Sequence, residues 1–192
     1  MSRLFFITHA EVDIDPGIPV PEWGLSQLGA ARHAAFAQRA VRFCAIWSSS
    51  EHKAREGAGF LADVQNLAVS VDPDLGENDR STTGFLPPDV FEQAADAFFA
   101  KPDTSYRGWE TASDAQSRVV SALKRIETAS PKGDIAVIAH GAVGALTRAW
   151  AMSAPISRVH DQTGSCGNVM VLARPTFEFL SGWTPMEELL TE

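Results

Sequence analysis

His9 closes the apolar run Phe5-Phe6-Ile7-Thr8-His9, and His140 closes another, Ala136-Val137-Ile138-Ala139-His140. Runs of this length read as buried strands, so each imidazole stands where a strand leaves the core. One such histidine alone reads in three ways: a catalytic group, a metal ligand, or a core residue satisfied by a backbone carbonyl. Two further polar features occupy the same kind of position. Ser48 to Lys53 follow the short run Cys44–Ser49, and Glu77 lies in the loop after Leu67–Val71. A helix pattern begins after each strand, and helix N-termini direct unpaired N–H groups and positive dipole ends outward. Two imidazoles, a lysine, small hydroxyl residues and helix ends describe a pocket for an oxyanion, with phosphate the natural occupant. A histidine among such donors is suited to act as nucleophile, because phosphoryl transfer asks mainly for positioning and charge stabilisation. A zinc hydrolase is a poor alternative, since neither HxH nor HExxH occurs.

The elements that must position these groups alternate in type. Arg3–Thr8 is the first strand, and Ser26 caps a helix through LGAARHAAFAQRAV, with its alanines, Leu28, Phe36 and Val41 forming an apolar stripe. Cys44–Ser49 is the second strand, a second helix starts at Glu51, and Leu67–Val71 is the third strand. Asp72–Pro88 reads as a long loop, which in a compact domain is more often functional than idle. Helices follow over Asp89–Ala100 and Asp114–Thr128, then the strand Asp134–Ala139, the helix GAVGALTRAWAM and two last strands, Asn168–Arg174 and Thr176–Leu180. The pattern predicts an α/β fold: a single-domain three-layer sandwich over residues 1–192, with a mostly parallel sheet covered by helices on both faces. Such sheets bind ligands beyond the carboxyl ends of their strands, where every feature named above falls.

The bulk properties narrow the partners. A formal net charge of −8 in 192 residues, without a Lys/Arg cluster, argues against nucleic acid. No run of about 18 apolar residues offers a transmembrane helix, and the start MSRLFFITHAEVD meets an acid too soon for a signal peptide. The expectation is a cytoplasmic protein with no membrane partner, and with Cys44 and Cys166 as reduced thiols.

The ordered set of motifs resembles the histidine phosphatase superfamily, the phosphoglycerate mutase-like enzymes. Thr8-His9-Ala10-Glu11 stands for the family's Arg-His-Gly/Ala with Glu after it, and VIAHG at Val137–Gly141 for its strand ending in His-Gly. Ser48–Ala58 is similar to Ser-Ser-x-x-x-Arg-Ala-x-x-Thr-Ala, with Lys53 at the arginine. Leu75-Gly76-Glu77, with Gly84 beyond, resembles Leu-x-Glu before a glycine, and LSQLGAAR at Leu25 the family's Leu-Thr-x-x-Gly. The resemblance implies roles. His9 would carry the phosphoryl group as phosphohistidine, and His140 would hold phosphate and stabilise transition-state charge. Glu77 would protonate the leaving oxygen and then help activate water. It implies no metal and no organic cofactor.

Two departures from that pattern bear on activity. Thr8 and Lys53 stand where the family places arginines that grip phosphate, so the expected phosphate-binding set is Thr8, Lys53 and Arg80, the last as a local replacement. Arginine offers a bidentate fork, lysine a point charge and threonine one neutral donor. Asp74 and Asp79 share the Glu77 loop and offer the same proton chemistry. His33, His52 and His160, and the tryptophans Trp23, Trp109 and Trp183, read as packing or surface residues. The expected function is a phosphomonoester hydrolase acting through phosphohistidine on a small phosphorylated metabolite. The alternatives are a catalytically weakened phospho-ligand binding or regulatory protein of the same fold, and a phosphoglycerate mutase-type phosphotransferase. The motifs leave the substrate and the oligomeric state open.

Overall fold

The computed structural model describes residues 2–189 apart from 163 and 165. The described residues form one six-stranded sheet in the order β3-β2-β4-β1-β5-β6. These strands are β1 (Arg3–Thr8), β2 (Ala45–Ser48), β3 (Val69–Val71), β4 (Ile135–Ala139), β5 (Asn168–Ala173) and β6 (Phe179–Pro185). Pairs β2–β3, β2–β4 and β1–β4 are parallel; β5 runs antiparallel to both β1 and β6. The helices are α1 (Gln27–Arg39), α2 (His52–Gln65), α3 (Pro88–Ala100), α4 (Ala112–Ala129) and α5 (Gly141–Ala151).

Strand alternation builds the layers. Phe5 and Ile7 of β1, Ala136 and Ile138 of β4, and Val169 and Val171 of β5 bury against Phe36 of α1 and Ala58 and Leu61 of α2. Their neighbours Leu4, Phe6, Ile135, Val137, Met170 and Leu172 point to the other face, against Val119, Leu123 and Ile126 of α4 and Val143 of α5. A third apolar cluster joins Phe98 and Phe99 of α3 to Trp109, Ala115 and Leu146. Continuous apolar runs therefore lie where both sheet faces are covered.

Local signals place most boundaries. The Ser26 hydroxyl accepts the Gly29 N–H at 3.1 Å and caps α1. The Thr111 hydroxyl does the same for α4, 3.1 Å from the Asp114 nitrogen. Some expectations shift. Helix α1 stops at Arg39, before Val41, and Leu28 faces outward, 60% exposed. Strand β3 loses Leu67 because α2 ends on Asn66 in the left-handed region, with the Leu67 N–H closing back on Ala62. The last strand begins at Phe179 rather than Thr176, since residues 174–176 form the turn, closed by the Phe177 N–H on the Ala173 carbonyl, that lets β6 reverse onto β5. The stretch expected as loop from Asp72 carries a single 3-10 turn, Pro73–Leu75, whose Leu75 is fully buried.

Candidate active site

The sheet order puts β4 between β2 and β1, so the segments leaving these strands converge above one edge. His9 is the first residue past β1. Its N–H donates to the Ala139 carbonyl at 3.1 Å, and its carbonyl accepts the Gly167 N–H at 2.9 Å. Its ring Nδ1 lies 2.8 Å from the Ala10 carbonyl oxygen. A carbonyl oxygen only accepts, so Nδ1 carries the proton and Nε2 keeps its lone pair. The Ala10 N–H in turn donates to Nε2 of His33 on α1 at 3.2 Å, so the turn beneath His9 is held from both sides. His33 is thus a buried packing residue. Burial, aided by Lys53 and Arg80, lowers the His9 pKa to about 4 against the raising effects of the Ala10 carbonyl and Glu51. At neutral pH the ring is uncharged.

His140 follows β4 and opens α5. Its ring meets that of His9 edge-on, centroids 5.2 Å apart, and its Nε2 lies 2.7 Å from Ser49 Oγ and 3.4 Å from Glu51 Oε1. Burial pushes its pKa down to about 3, although Glu51 opposes this. Glu77 reaches the same place from the loop after β3. Its carboxylate accepts the N–H groups of Ala142 and Val143, both at 3.1 Å, in the first turn of α5. Those bonds favour the ionised form, but burial outweighs them and raises the Glu77 pKa. The α5 N-terminus thus holds Glu77 rather than standing open to a ligand. Arg118 of α4 fixes this loop by donating to the carbonyls of Asp74 (2.8 Å), Gly76 (3.1 Å) and Glu77 (3.3 Å) while paired with Glu110.

Lys53 is buried on α2, its ammonium 3.0 Å from the Val20 carbonyl and 2.5 Å from Glu51 Oε2. Arg80 comes from the Glu77 loop, and its guanidinium lies over the Phe91 ring, 4.8 Å from the centroid. His9, His140, Lys53, Glu77 and Arg80 line one cavity of about 720 Å³. Thr8 does not join them. It is buried, its hydroxyl donating to Gln162 Oε1 at 2.8 Å and accepting the N–H groups of Gly167 (3.2 Å) and Asn168 (2.9 Å). The expected Thr8–phosphate contact is therefore corrected: that hydroxyl ties β1 to β5. Of the other acids, Asp74 pairs with Arg125 outside the cavity, and Asp79 lines it but is exposed, with the Ser81 N–H holding its pKa down.

Sequence reasoning missed Glu51 and Asn78. Glu51 accepts the Glu77 N–H at 2.8 Å as well as the Lys53 ammonium. Burial opposes its charge, but His140, Lys53 and the Glu77 N–H prevail and hold its pKa near 2. The only local signal was an acid two residues before Lys53 in the segment leaving β2. Asn78 lines the cavity with a buried Nδ2 that has no partner among the described residues. Part of the cavity wall is apolar, formed by Ile18, Pro19, Val20, Pro21 and Phe85. Among the described residues no group of three or more His, Cys, Asp or Glu is arranged to hold a metal ion. No helix among them is long and apolar enough to cross a membrane.

Residues 5–176 match the family described as the histidine phosphatase superfamily (branch 1). No curated protein matches the chain. Among solved structures, the fold is similar to a mycobacterial glucosyl-3-phosphoglycerate phosphatase in complex with inorganic phosphate, with a TM-score of 0.78 at 19% identity over 97% of this chain and 99% of that one. It is also similar to Bacillus stearothermophilus YhfR (TM-score 0.77, 18% identity, 94% and 95% covered). A third is a putative alpha-ribazole-5'-P phosphatase from Escherichia coli (TM-score 0.71, 18% identity, 96% and 97% covered).

Proposed function

Because the chain belongs to the histidine phosphatase superfamily, we propose that it is a metal-independent phosphomonoester hydrolase acting on a small phosphorylated metabolite through phosphohistidine. The observation that carries this reading is the His9 ring: Nδ1–H fixed on the Ala10 carbonyl, and Nε2 unprotonated beside His140 and Glu77 in one cavity. In the first step the Nε2 lone pair attacks phosphorus, the bond to the ester oxygen breaks, and Glu77 gives its proton to that oxygen. In the second, ionised Glu77 takes a proton from water, the water oxygen bonds phosphorus, and the P–N bond breaks to release phosphate. In this reading the non-bridging oxygens are bound by Arg80, the remaining Lys53 proton, Asn78 Nδ2 and His140, all residues that line the cavity. The apolar part of the wall suits the ester's leaving group. A net charge of −8 and a concave site fit a small cytoplasmic substrate rather than nucleic acid.

Rapid mixing with a labelled phosphomonoester, quenched in alkaline denaturant, should trap a phosphoryl group on His9. His9→Ala should remain folded, trap nothing and lose turnover. Substantial metal-free turnover by folded His9→Ala rejects the mechanism.

A second reading, a phospho-ligand binding protein with weakened catalysis, is favoured by one observation: Lys53 is already paired with Glu51 while Thr8 is turned away. It predicts phosphate binding with nothing trapped on His9. A mutase-type phosphotransferase on an acid substrate would need cations to spare. Among the described residues the cavity wall offers only Lys53 and Arg80.

A further inference from the structure

Glu51 introduces an anion into a cavity otherwise read as an anion cradle. Its side chain is 10% exposed and belongs to the segment between β2 and α2. One oxygen lies 2.5 Å from the Lys53 ammonium; the other accepts the Glu77 N–H at 2.8 Å and stands 3.4 Å from His140 Nε2. The two oxygens thus bind a lysine, a backbone N–H and an imidazole edge, the partners that a phosphoryl group's non-bridging oxygens would seek. Lys53 also donates to the Val20 carbonyl, so of its three protons one is left for a ligand.

The charged and titratable groups around Glu51 come from four elements. They are Lys53 on α2, His140 at the start of α5, His9 after β1, and Glu77 with Arg80 from the loop after β3. Both imidazoles are held neutral by burial, so the standing charges of the cavity are Lys53 and Arg80 against Glu51, the exposed Asp79 and, when ionised, Glu77. A doubly charged phosphoryl group entering this set meets twice the repulsion from Glu51 that a singly charged one does, because the interaction scales with the product of charges.

We propose that Glu51 is a specificity-determining residue that sets the charge of the phosphoryl group this cavity accepts, favouring singly charged phosphoryl groups over dianions. This rests on the phosphatase reading and narrows it: the productive substrate form is a monoester bearing one proton, with its ester group against the apolar part of the wall. The carboxylate also neutralises Lys53 in the empty cavity, so the ammonium remains buried before substrate arrives.

The test compares two ligands at one pH, so that every histidine keeps the same protonation. At pH 8 methyl phosphate is a dianion, its second pKa being about 6, while dimethyl phosphate carries one charge at any pH. Calorimetric titration of both into the wild-type protein and Glu51→Gln gives a ratio from which ligand size cancels. Glutamine keeps the length and an oxygen to accept the Glu77 N–H, and a thermal melt reports whether the variant is folded. Glu51→Gln should tighten methyl phosphate about tenfold and dimethyl phosphate about threefold, the first gain being roughly the square of the second. Equal gains, or weaker binding of methyl phosphate, overturn the proposal. If the variant does not fold, the wild-type protein decides: methyl phosphate bound tighter than dimethyl phosphate overturns it, and equal or weaker binding supports it. Phosphoryl trapping on His9 without a selective gain rejects the role of Glu51 and leaves the phosphatase reading standing. No binding of either ester to either protein rejects both.

Discussion

Glu51 and Glu77 share one cavity, and their surroundings drive their proton affinities apart. Glu51 is held near 2 by His140, Lys53 and a backbone N–H despite burial, whereas burial lifts Glu77. A pair separated in this way can divide the labour: Glu51 stays ionised, while Glu77 holds its proton to a higher pH than an ordinary carboxylate does. As the acid, Glu77 is competent only below its raised pKa, so cleavage of esters with poor leaving groups should fall as pH rises through it. Glu77→Gln should abolish that limb and slow an alkyl phosphate by about 10²–10⁴. Nitrophenyl phosphate, whose oxygen leaves as a stable anion, should lose far less. Equal losses for the two esters would exclude Glu77 as the acid and direct the same test to Asp79, the other loop acid lining the cavity.

Elements place these groups by close approach and by tethering. The Ser26 N–H donates to the Glu11 carbonyl at 2.9 Å, and a Cβ added to Gly29 would stand 2.1 Å from that same oxygen. Helix α1 thus docks against the backbone two residues past His9, and Gly29 permits it. Gly29→Ala should cost about 3 kcal/mol in chemical denaturation and lower turnover, because neither backbone can move cheaply. Arg118 acts at longer reach. It touches no cavity residue's reacting atoms, yet its bonds to three carbonyls hold the turn that presents Glu77. Arg118→Met should reduce kcat about 10–100-fold with a smaller change in KM, and Arg118→Lys should recover part of the loss. Unchanged kcat in a folded Arg118→Met protein would show that the loop holds Glu77 without it.

At the scale of the whole molecule, buried neutral imidazoles couple stability to pH. His33 and His140 titrate near 3 in the fold and His9 near 4, against about 6.5 in an unfolded chain. Below pH 6.5 the unfolded chain therefore binds protons that the native one does not, and stability is lost as pH falls toward 3. Three such groups contribute a slope approaching about 4 kcal/mol per pH unit. Glu77, raised by burial, opposes them over its own window, so the difference between variants is the sharper measure. His33→Gln, able to accept the Ala10 N–H, should lower the slope of denaturation free energy between pH 6 and 4 by about a third. An unchanged slope would mean that His33 is charged in the fold.

The sequence by itself determined the alternation of elements and the strand ends where His9, His140, Lys53 and Glu77 stand, because apolar runs, Ser26 and Thr111 caps and glycine turns act over a few neighbouring residues. Only the tertiary structure decided which side chains meet. Placing β4 between β2 and β1 brings Glu51 within reach of His140, 89 positions away, and folding the loop after β3 over α5 gives Glu77 its two amide donors. Thr8 shows the same limit in reverse: its position beside His9 was plain, but its hydroxyl serves β5, 160 residues along the chain. Charge partners of this kind depend on strand order and on long-range approach, and no local period in the chain records them.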